Sequence, residues 1–207
     1  MAARNFVEIL AQSIRDNWDK EAFSDYEGDT YTYEEVAGWI ARFHIIFERN
    51  GLKKGDKVAF LGKNSRNWGI SYMATTLYGA VAVPVLPDFH KDDIAHIVEH
   101  SDSKIFFCES GMFEKLEAGK FKHLDAVINL LDFGLISSNV AGYKKDIEDL
   151  NKLFANKYPE GLSPQNFVVP QVDTDDIVKA YNGKRRKIIS TTEIEIEEME
   201  DRTREEK

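Results

Sequence analysis

Helical patterns and short apolar runs alternate along most of this 207-residue chain, and this alternation limits the folds that are open to it. Runs bounded by turn signals predict buried strands at residues 57–62, 80–86, 104–108 and 126–131. Helical spacing predicts helices at residues 64–78, 91–101, 110–118 and 143–157. Strands separated by helices of this length are typical of βαβ units. The sequence therefore predicts an α/β fold with a parallel sheet, and Pro84, which has no N–H donor, is expected at the end of its strand.

The first 50 residues predict two more helices with a short extended stretch between them at residues 22–26. Phe6 begins a series of apolar residues that recurs every fourth position, which is typical of an amphipathic helix. Thr32 and Glu35 have the spacing of a capping box, and apolar residues follow at helical intervals as far as Phe47. Asn50 and Gly51 then predict the end of the helix.

Composition excludes several classes of protein. Hydrophobic residues make up 43% of the chain, which is enough for a core, and the net charge of −9 argues against a general nucleic-acid-binding protein. No apolar run approaches the roughly 20 residues of a transmembrane helix, and the first ten residues lack the apolar region of a secretory signal. With Cys108 as its single cysteine, the chain can form no intrachain disulfide, and a cytoplasmic location is expected.

The composition changes near residue 178, so we predict a folded domain at residues 1–178 and a charged, disordered tail at residues 179–207. The tail holds a basic cluster at Lys184–Lys187, and residues 193–201 then contain six acidic residues and no basic ones. The basic cluster could bind phosphate, nucleic acid or an anionic membrane. A solvated segment of mixed charge is the favoured interpretation.

One motif suggests a metal site. His96, Glu99 and His100 have the His-x-x-Glu-His spacing of an inverted zinc-protease motif. The apolar residues of the same helix cluster on one side, which places both histidines on the outward face. A solvated helix face is therefore the favoured interpretation, and we expect no metal ligands here.

No catalytic machinery is visible from the residues alone. Cys108 lies in an apolar strand and is interpreted as a packed thiol rather than a nucleophile. A phosphate-binding loop would place several glycines between a strand and the following helix, whereas Gly51 and Gly55 precede a strand.

Six motifs nevertheless occur in a recognisable order. They are Thr-Tyr-Thr-Tyr-Glu-Glu at 30–35, Gly-Leu-Lys-Lys-Gly-Asp-Lys-Val at 51–58, Lys-Asn-Ser-Arg-Asn-Trp at 63–68, Tyr-Gly-Ala-Val-Ala-Val-Pro at 78–84, Asp-Ile-Ala-His-Ile-Val-Glu-His-Ser at 93–101 and Lys-Ile-Phe-Phe at 104–107. The series resembles the N-terminal part of the AMP-forming, adenylate-forming (AMP-binding) synthetases, and within them most closely the long-chain fatty acid–CoA ligases. The resemblance runs from about Ala22 to Ile177, roughly three quarters of the chain.

This resemblance implies an activity for the complete enzyme. Members of the family use ATP and Mg²⁺ to convert a carboxylate into an acyl-adenylate and pyrophosphate, and then transfer the acyl group to coenzyme A. Fatty acid and coenzyme A are therefore the implied partners of the complete enzyme.

The chain departs from the family pattern after residue 177. The family carries a hydroxyl- and glycine-rich triphosphate loop there, of which Gly183 and Lys187 are at best remnants. The adenine-pocket and ribose-binding segments and the C-terminal lid with its lysine are missing as well. No catalytic residue can be carried over, and no cofactor is expected for this chain alone.

We therefore expect a catalytically incomplete N-terminal fragment of an acyl-CoA synthetase. Apolar surface that would otherwise meet the rest of the enzyme would then serve for self-association or for docking a protein partner. The alternatives are a non-catalytic interaction module on the same scaffold and, less favoured, a zinc hydrolase.

Overall fold

A computed structural model describes residues 6–116 and 121–170 of the chain, and the helices and strands named below lie within these ranges. The helices are α1 (Phe6–Asp16), α2 (Tyr33–Arg49), α3 (Arg66–Tyr78), α4 (Lys91–His100), α5 (Ser110–Phe113), α6 (Ala141–Glu148) and α7 (Leu150–Lys157). The strands are β1 (Glu21–Ser24), β2 (Thr30–Thr32), β3 (Lys57–Leu61), β4 (Val81–Val85), β5 (Ser103–Cys108), β6 (Ala126–Asn129) and β7 (Leu135–Ser138). The predicted boundary at residue 178 and the predicted tail lie outside the described residues.

Five of these strands form the main sheet, in the order β4-β3-β5-β6-β7. The first four run parallel, and β7 pairs antiparallel with β6. Strands β1 and β2 form a separate antiparallel pair. The predicted α/β fold with a parallel sheet is confirmed, with one antiparallel strand added at its edge.

The helices cover both faces of the main sheet. On one face α1, α2 and α3 enclose a core that includes Ile14, Phe43 and Ile70. On the other face α4 and α5 pack against Phe106 and the neighbouring side chains. A parallel sheet needs this double cover because its crossover helices return over the faces.

Helix α2 begins at the predicted capping box. The Glu35 N–H donates to Thr32 Oγ1 at 3.3 Å, and the Thr32 N–H donates to Glu35 Oε2 at 2.8 Å. The helix ends at Asn50, and Gly51 follows with a φ of +76°, a left-handed conformation that favours glycine. Both predicted ends of α2 are confirmed.

Aromatic rings join α2 to the sheet. The Phe43 ring lies edge-on to Phe107 of β5 at a centroid distance of 5.2 Å, and edge-on to Phe133 at 4.9 Å. Trp39 and Phe47 pack against Phe43 from neighbouring turns of the same helix. Such edge-to-face pairs add stability beyond the area they bury.

A buried histidine links α2 to α3. His44 Nε2 lies 2.9 Å from the Ala74 carbonyl oxygen, and the His44 side chain is almost completely buried. Burial lowers the pKa of His44 to about 4, because the charged imidazolium would lose its hydration.

The run at residues 80–86 forms the predicted strand, β4, but the prediction that this strand is buried was wrong. Strand β4 lies at the edge of the sheet, and Val81 is 40% exposed. Pro84 pairs in register with Phe60 and is the fourth of five residues, close to the predicted end. The Val81 N–H points towards β3 and donates to the Asp56 carbonyl oxygen. Because backbone N–H directions alternate along a strand, the nitrogen of Pro84, three residues later, points away from β3. The proline therefore leaves no donor for a further strand at that position.

Three other points of the sequence analysis need correction. The helix predicted over residues 143–157 is two helices that meet at Asp149, whose φ of −89° and ψ of 6° interrupt the helical path. Strand β7 was missed because its four residues end in two serines and show no clear alternation of apolar and polar positions. Its pairing depends on β6, which a local pattern cannot reveal. In the described part of the predicted helix at 110–118, only Ser110–Phe113 is α-helical.

We expect Phe43→Ala to lower the free energy of unfolding by about 3–5 kcal/mol, because it removes a ring from the centre of the aromatic core. Urea denaturation followed by circular dichroism measures this change. Phe89→Ala, at a site that is 43% exposed, is the matched control and should cost less than about 1 kcal/mol. Equal losses in the two variants would show that the rings around Phe43 do not hold α2 to the sheet.

His44 should make the fold less stable in mild acid. In the unfolded chain His44 takes up a proton as the pH falls below about 6.5, whereas in the folded chain it stays neutral down to about pH 4. The unfolded state therefore binds more protons in this window, and the contribution of neutral His44, up to about 3 kcal/mol, is lost as the pH falls from 6.5 to 4.

Denaturation of the wild type and of His44→Phe at pH 7, 5.5 and 4.5 tests this expectation. The difference in stability between them should shift steadily in favour of the variant as the pH falls. Phe89→Ala, which changes no titratable group, should keep a constant difference from the wild type. For His44→Phe, a difference that is constant with pH would contradict the buried neutral state of His44.

Candidate functional site

The topology of the sheet marks one edge as the place to look for a site. Helix α3 follows β3 and covers one face, whereas α4 and α5 cover the other face. The adjacent strands β3 and β5 are therefore followed by helices on opposite faces of the sheet, and the loops that follow these two strands diverge. In open α/β sheets, ligands bind outside the carboxyl ends of the strands at such a switch point.

A carboxylate fills this switch point. The backbone N–H of Lys63, just beyond β3, donates to Glu109 Oε1 at 2.6 Å, and the N–H of Glu109 donates to the Leu61 carbonyl oxygen at 3.1 Å. The Glu109 side chain therefore ties the loop after β3 to the end of β5.

Gly62 allows the close approach of these loops. A Cβ atom at Gly62 would lie 2.6 Å from Leu130 Cδ1 and 3.1 Å from Glu109 Oε1. Any larger residue at this position would have to displace Leu130 or Glu109. Gly62, Glu109 and Leu130 are called the switch-point cluster below.

Asparagine side chains hold the loop after β6 against this cluster. Asn129 Oδ1 accepts hydrogen bonds from the N–H groups of Ser110 and Leu131, each at 3.2 Å. The buried Asn67 donates through Nδ2 to the carbonyl oxygens of Leu130 at 2.8 Å and Leu131 at 3.0 Å. The loops after β3, β5 and β6 are thus cross-linked through polar side chains.

The N-terminus of α3 faces the same edge, and two of its backbone donors are already used. The Trp68 N–H donates to Ser65 Oγ at 3.2 Å, and the Arg66 N–H donates to Asp25 Oδ1 at 2.7 Å. The Arg66 guanidinium lies 3.4 Å from both Asp25 and Asp29. An internal carboxylate and a hydroxyl therefore engage these two backbone donors, which could otherwise bind an anion, whereas Arg66 Nε and Nη1 are buried without a hydrogen-bond partner.

This edge does not fit a nucleotide triphosphate. Phosphate loops bind their anion through free backbone N–H groups. At the described edge the N–H of Lys63 is bonded to Glu109, whose negative charge would repel a phosphate, and Gly62 is in contact with Leu130. No step with ATP can therefore be assigned to the described residues at the switch point.

Apolar side chains are exposed in the loops at the same end of the sheet. Leu86 and Phe89 follow β4 and are 61% and 43% exposed, and Leu131 follows β6 and is 63% exposed. These three residues are called the apolar rim below.

The predicted position of the zinc motif is confirmed. His96, Glu99 and His100 are exposed on α4, and the two imidazole rings stack at a centroid distance of 5.5 Å. Within residues 6–116 and 121–170, no three histidine, cysteine, aspartate or glutamate side chains converge as metal ligands.

Cys108 is a packed thiol, as predicted. It is fully buried at the end of β5, where Sγ donates to the Glu109 carbonyl oxygen at 3.4 Å. Burial raises the pKa of Cys108 to about 12, and the negative charge of Glu109 adds to this effect. A thiol that stays protonated at neutral pH is a poor nucleophile.

The remaining candidates divide into two groups. Gly51 and Gly55 lie in turns before β3 with φ values of +76° and +83°, which confirms that they serve the turn and do not form a loop after a strand. Gly183, Lys187 and the basic cluster at Lys184–Lys187 lie outside the described residues. Among the helices in the described ranges, none has both the length and the apolar character needed to cross a bilayer.

Sequence reasoning missed the switch-point cluster. Gly62 and Glu109 each come directly after a run that predicts a buried strand, and carboxyl ends of parallel strands meet at one edge. This position in the sequence would have identified Gly62 and Glu109 as neighbours only if the strand order had been known. The strand order places β3 beside β5, and the sequence does not reveal it.

Comparison with known proteins gives consistent matches. A family model described as AMP-binding enzyme matches residues 10–178. The medium-chain fatty-acid–CoA ligase of Escherichia coli (strain K12) is 29% identical over 106 residues, which cover 50% of this chain and 18% of that protein. Bacitracin synthase 1 of Bacillus licheniformis is 25% identical over 153 residues, which cover 70% of this chain and 3% of that protein.

A solved structure agrees in fold. Apo MatB from Rhodopseudomonas palustris aligns with a TM-score of 0.56 at 20% identity, over 81% of this chain and 30% of that one. The chain thus matches less than a fifth of the length of either curated relative, and less than a third of the MatB chain.

We expect Gly62→Val to lower the free energy of unfolding by about 1–3 kcal/mol, because the added atoms would overlap Leu130 and Glu109. Gly111→Ala is the matched control, since a Cβ there meets no atom within 4 Å, and it should cost less than about 0.5 kcal/mol. Chemical denaturation of both variants measures the difference.

The double variant Gly62→Val, Leu130→Ala locates the clash. If Leu130 is the obstacle, the double variant should be more stable than the sum of the two single losses predicts. Strict additivity would show that the switch point tolerates the larger side chain in another way.

Proposed function

Because the chain belongs to the AMP-binding enzyme family, we propose that it supplies the N-terminal part of an ATP-dependent ligase that activates a fatty acid. The observation that carries this proposal is the family match over residues 10–178. The fatty-acid–CoA ligase of Escherichia coli supports a fatty acid as the substrate. The order of the six motifs favours a long-chain acid within that class.

The proposed reaction of the complete enzyme has two steps. The fatty acid carboxylate attacks the α-phosphorus of ATP and releases pyrophosphate, with Mg²⁺ balancing the charge of the leaving group. The thiol of coenzyme A then attacks the acyl carbon, loses its proton and releases AMP. We assign no described side chain to either step.

We further propose that residues 1–207 do not catalyse adenylation alone. At the switch point the Lys63 N–H is engaged by Glu109, and two backbone donors at the start of α3 are engaged by Ser65 and Asp25. In the sequence that follows, Gly183 and Lys187 are at best remnants of a triphosphate loop. The described portion would then act as a scaffold that positions other parts of the enzyme, and we expect this to occur in the cytoplasm.

A non-catalytic interaction module is the second candidate. The apolar rim of Leu86, Phe89 and Leu131 favours it, because exposed apolar residues at one end of a domain are typical of a surface that meets another protein. The rest of the ligase, a second copy of the chain or a separate protein are the occupants to distinguish.

A chimera tests the first proposal. Residues 1–178 would replace the matching N-terminal part of the Escherichia coli fatty-acid–CoA ligase, and acyl-adenylate would be measured by mass spectrometry with ATP and fatty acids of 8 to 18 carbons. We expect acyl-adenylate from the chimera and none from residues 1–207 alone. A chimera carrying Gly62→Val is the matched control, and its yield should fall together with its stability.

Two results would contradict these expectations. Acyl-adenylate formed by residues 1–207 alone would show that the chain is catalytically complete. The interaction module would be favoured by two observations made together. The first is a folded chimera that activates none of the fatty acids. The second is a stoichiometric complex of the chain that is abolished by the triple variant Leu86→Ser, Phe89→Ser, Leu131→Ser.

A further inference from the structure

A cavity of about 690 Å³ lies at the opposite, amino end of the sheet. The second half of α2, the end of α3 and the segment that follows α7 enclose it. Among its lining residues are His44, Glu48, Tyr78, Lys157, Tyr158 and Val168. Pockets that bind small molecules are typically about 300–1,000 Å³ and are largely apolar, with a few fixed polar groups.

His44 gives this cavity a fixed hydrogen-bond acceptor. Its Nε2 lies 2.9 Å from the Ala74 carbonyl oxygen, and a carbonyl can only accept, so Nε2 carries the proton. The neutral ring, held neutral by the lowered pKa, therefore presents Nδ1 as a bare lone pair. No described residue donates to Nδ1.

The His44 side chain is more than nine-tenths buried, and it lines the cavity. We take its remaining exposure of 6% to be towards the cavity.

Aromatic rings form walls next to this acceptor. Tyr78 packs against His44 at a centroid distance of 5.3 Å, and its hydroxyl is bonded to the Leu52 carbonyl oxygen at 2.9 Å. Tyr158 is held against Phe154 at 5.1 Å. Rings in these positions offer flat, apolar surfaces to a ligand.

The charges at the cavity favour an uncharged ligand. Glu48 and Lys157 pair at 3.2 Å, so that their charges largely cancel, and the other two charged residues of the lining, Lys54 and Glu160, have opposite signs. Neutral His44 adds no charge of its own.

We propose that this cavity binds a small, uncharged aromatic molecule whose hydroxyl or N–H group donates a hydrogen bond to His44 Nδ1. The site lies at the other end of the sheet from the switch-point cluster. It is therefore independent of the proposed role of the chain in fatty acid activation.

The test uses two probes that differ in a single donor. The ¹⁵N-labelled chain of 207 residues is titrated with 4-ethylphenol, and in parallel with 4-ethylanisole, which has the same ring but no O–H group. Long-range ¹H–¹⁵N spectra follow the imidazole nitrogens of the five histidines. The expected result is a saturable shift of His44 Nδ1 with the phenol, and at least threefold weaker binding of the anisole.

Variants then test the acceptor itself. His44→Phe keeps a ring of similar size and should weaken 4-ethylphenol binding about 3- to 10-fold in calorimetry. His96→Phe on the exposed face of α4 is the matched control and should bind as the wild type does. If His44→Phe fails to fold, the two-probe comparison on the wild type decides, together with Tyr158→Ala, which removes one wall and should also weaken binding.

The proposal is overturned by any of three results. These are the absence of a saturable His44 shift up to the solubility of the phenol, equal affinity for the two probes, and unchanged affinity in a folded His44→Phe variant.

Discussion

The stacked rings of Phe60 and Phe107 hold the two central strands together on one face of the sheet. They face each other across β3 and β5, in register, with centroids 5.4 Å apart and planes 7° from parallel. Phe43 of α2 meets Phe107 edge-on and so docks the longest described helix onto the same point. On the other face Phe106 packs within the core that α4 and α5 cover. Because both faces of these strands are buried, a ligand can reach the strands themselves only from the two ends of the sheet.

The two ends of the sheet differ because the crossover helices leave on different faces. At the carboxyl end, the loops after β3 and β5 diverge, and Glu109 and Leu130 close the space between them over Gly62. The backbone N–H groups of Lys63, Arg66 and Trp68 there are used within the chain itself. At the amino end, the space between α2 and the segment after α7 is left open, and a buried imidazole lines it. The end where parallel sheets commonly bind ligands is therefore closed, and the other end holds a cavity.

The closed switch point bears on the place of this chain in its family. The match spans a small part of each curated relative, and at the switch point the Lys63 N–H is engaged by Glu109. The proposed chemistry would then depend on segments beyond the scaffold. The two edges of the sheet are blunted, β4 by the outward-facing Pro84 and β7 by its short length and irregular register. The apolar rim is thus a better candidate for a contact surface than either strand edge.

The sequence by itself determined the parallel α/β class, both ends of α2, the buried state of Cys108 and the outward placement of His96 and His100. Each depends on local spacing or on a motif whose partners lie within a few residues, such as Thr32 and Glu35. Tertiary structure decided the rest: the exposure of β4 at the sheet edge, the pairing of β7, the break at Asp149 and the contact of Gly62 with Leu130 and Glu109. These depend on strand order and on which side chains fill a gap between loops distant in sequence. Hydrophobic periodicity describes which side of an element is buried, and it carries no information about the neighbour that buries it.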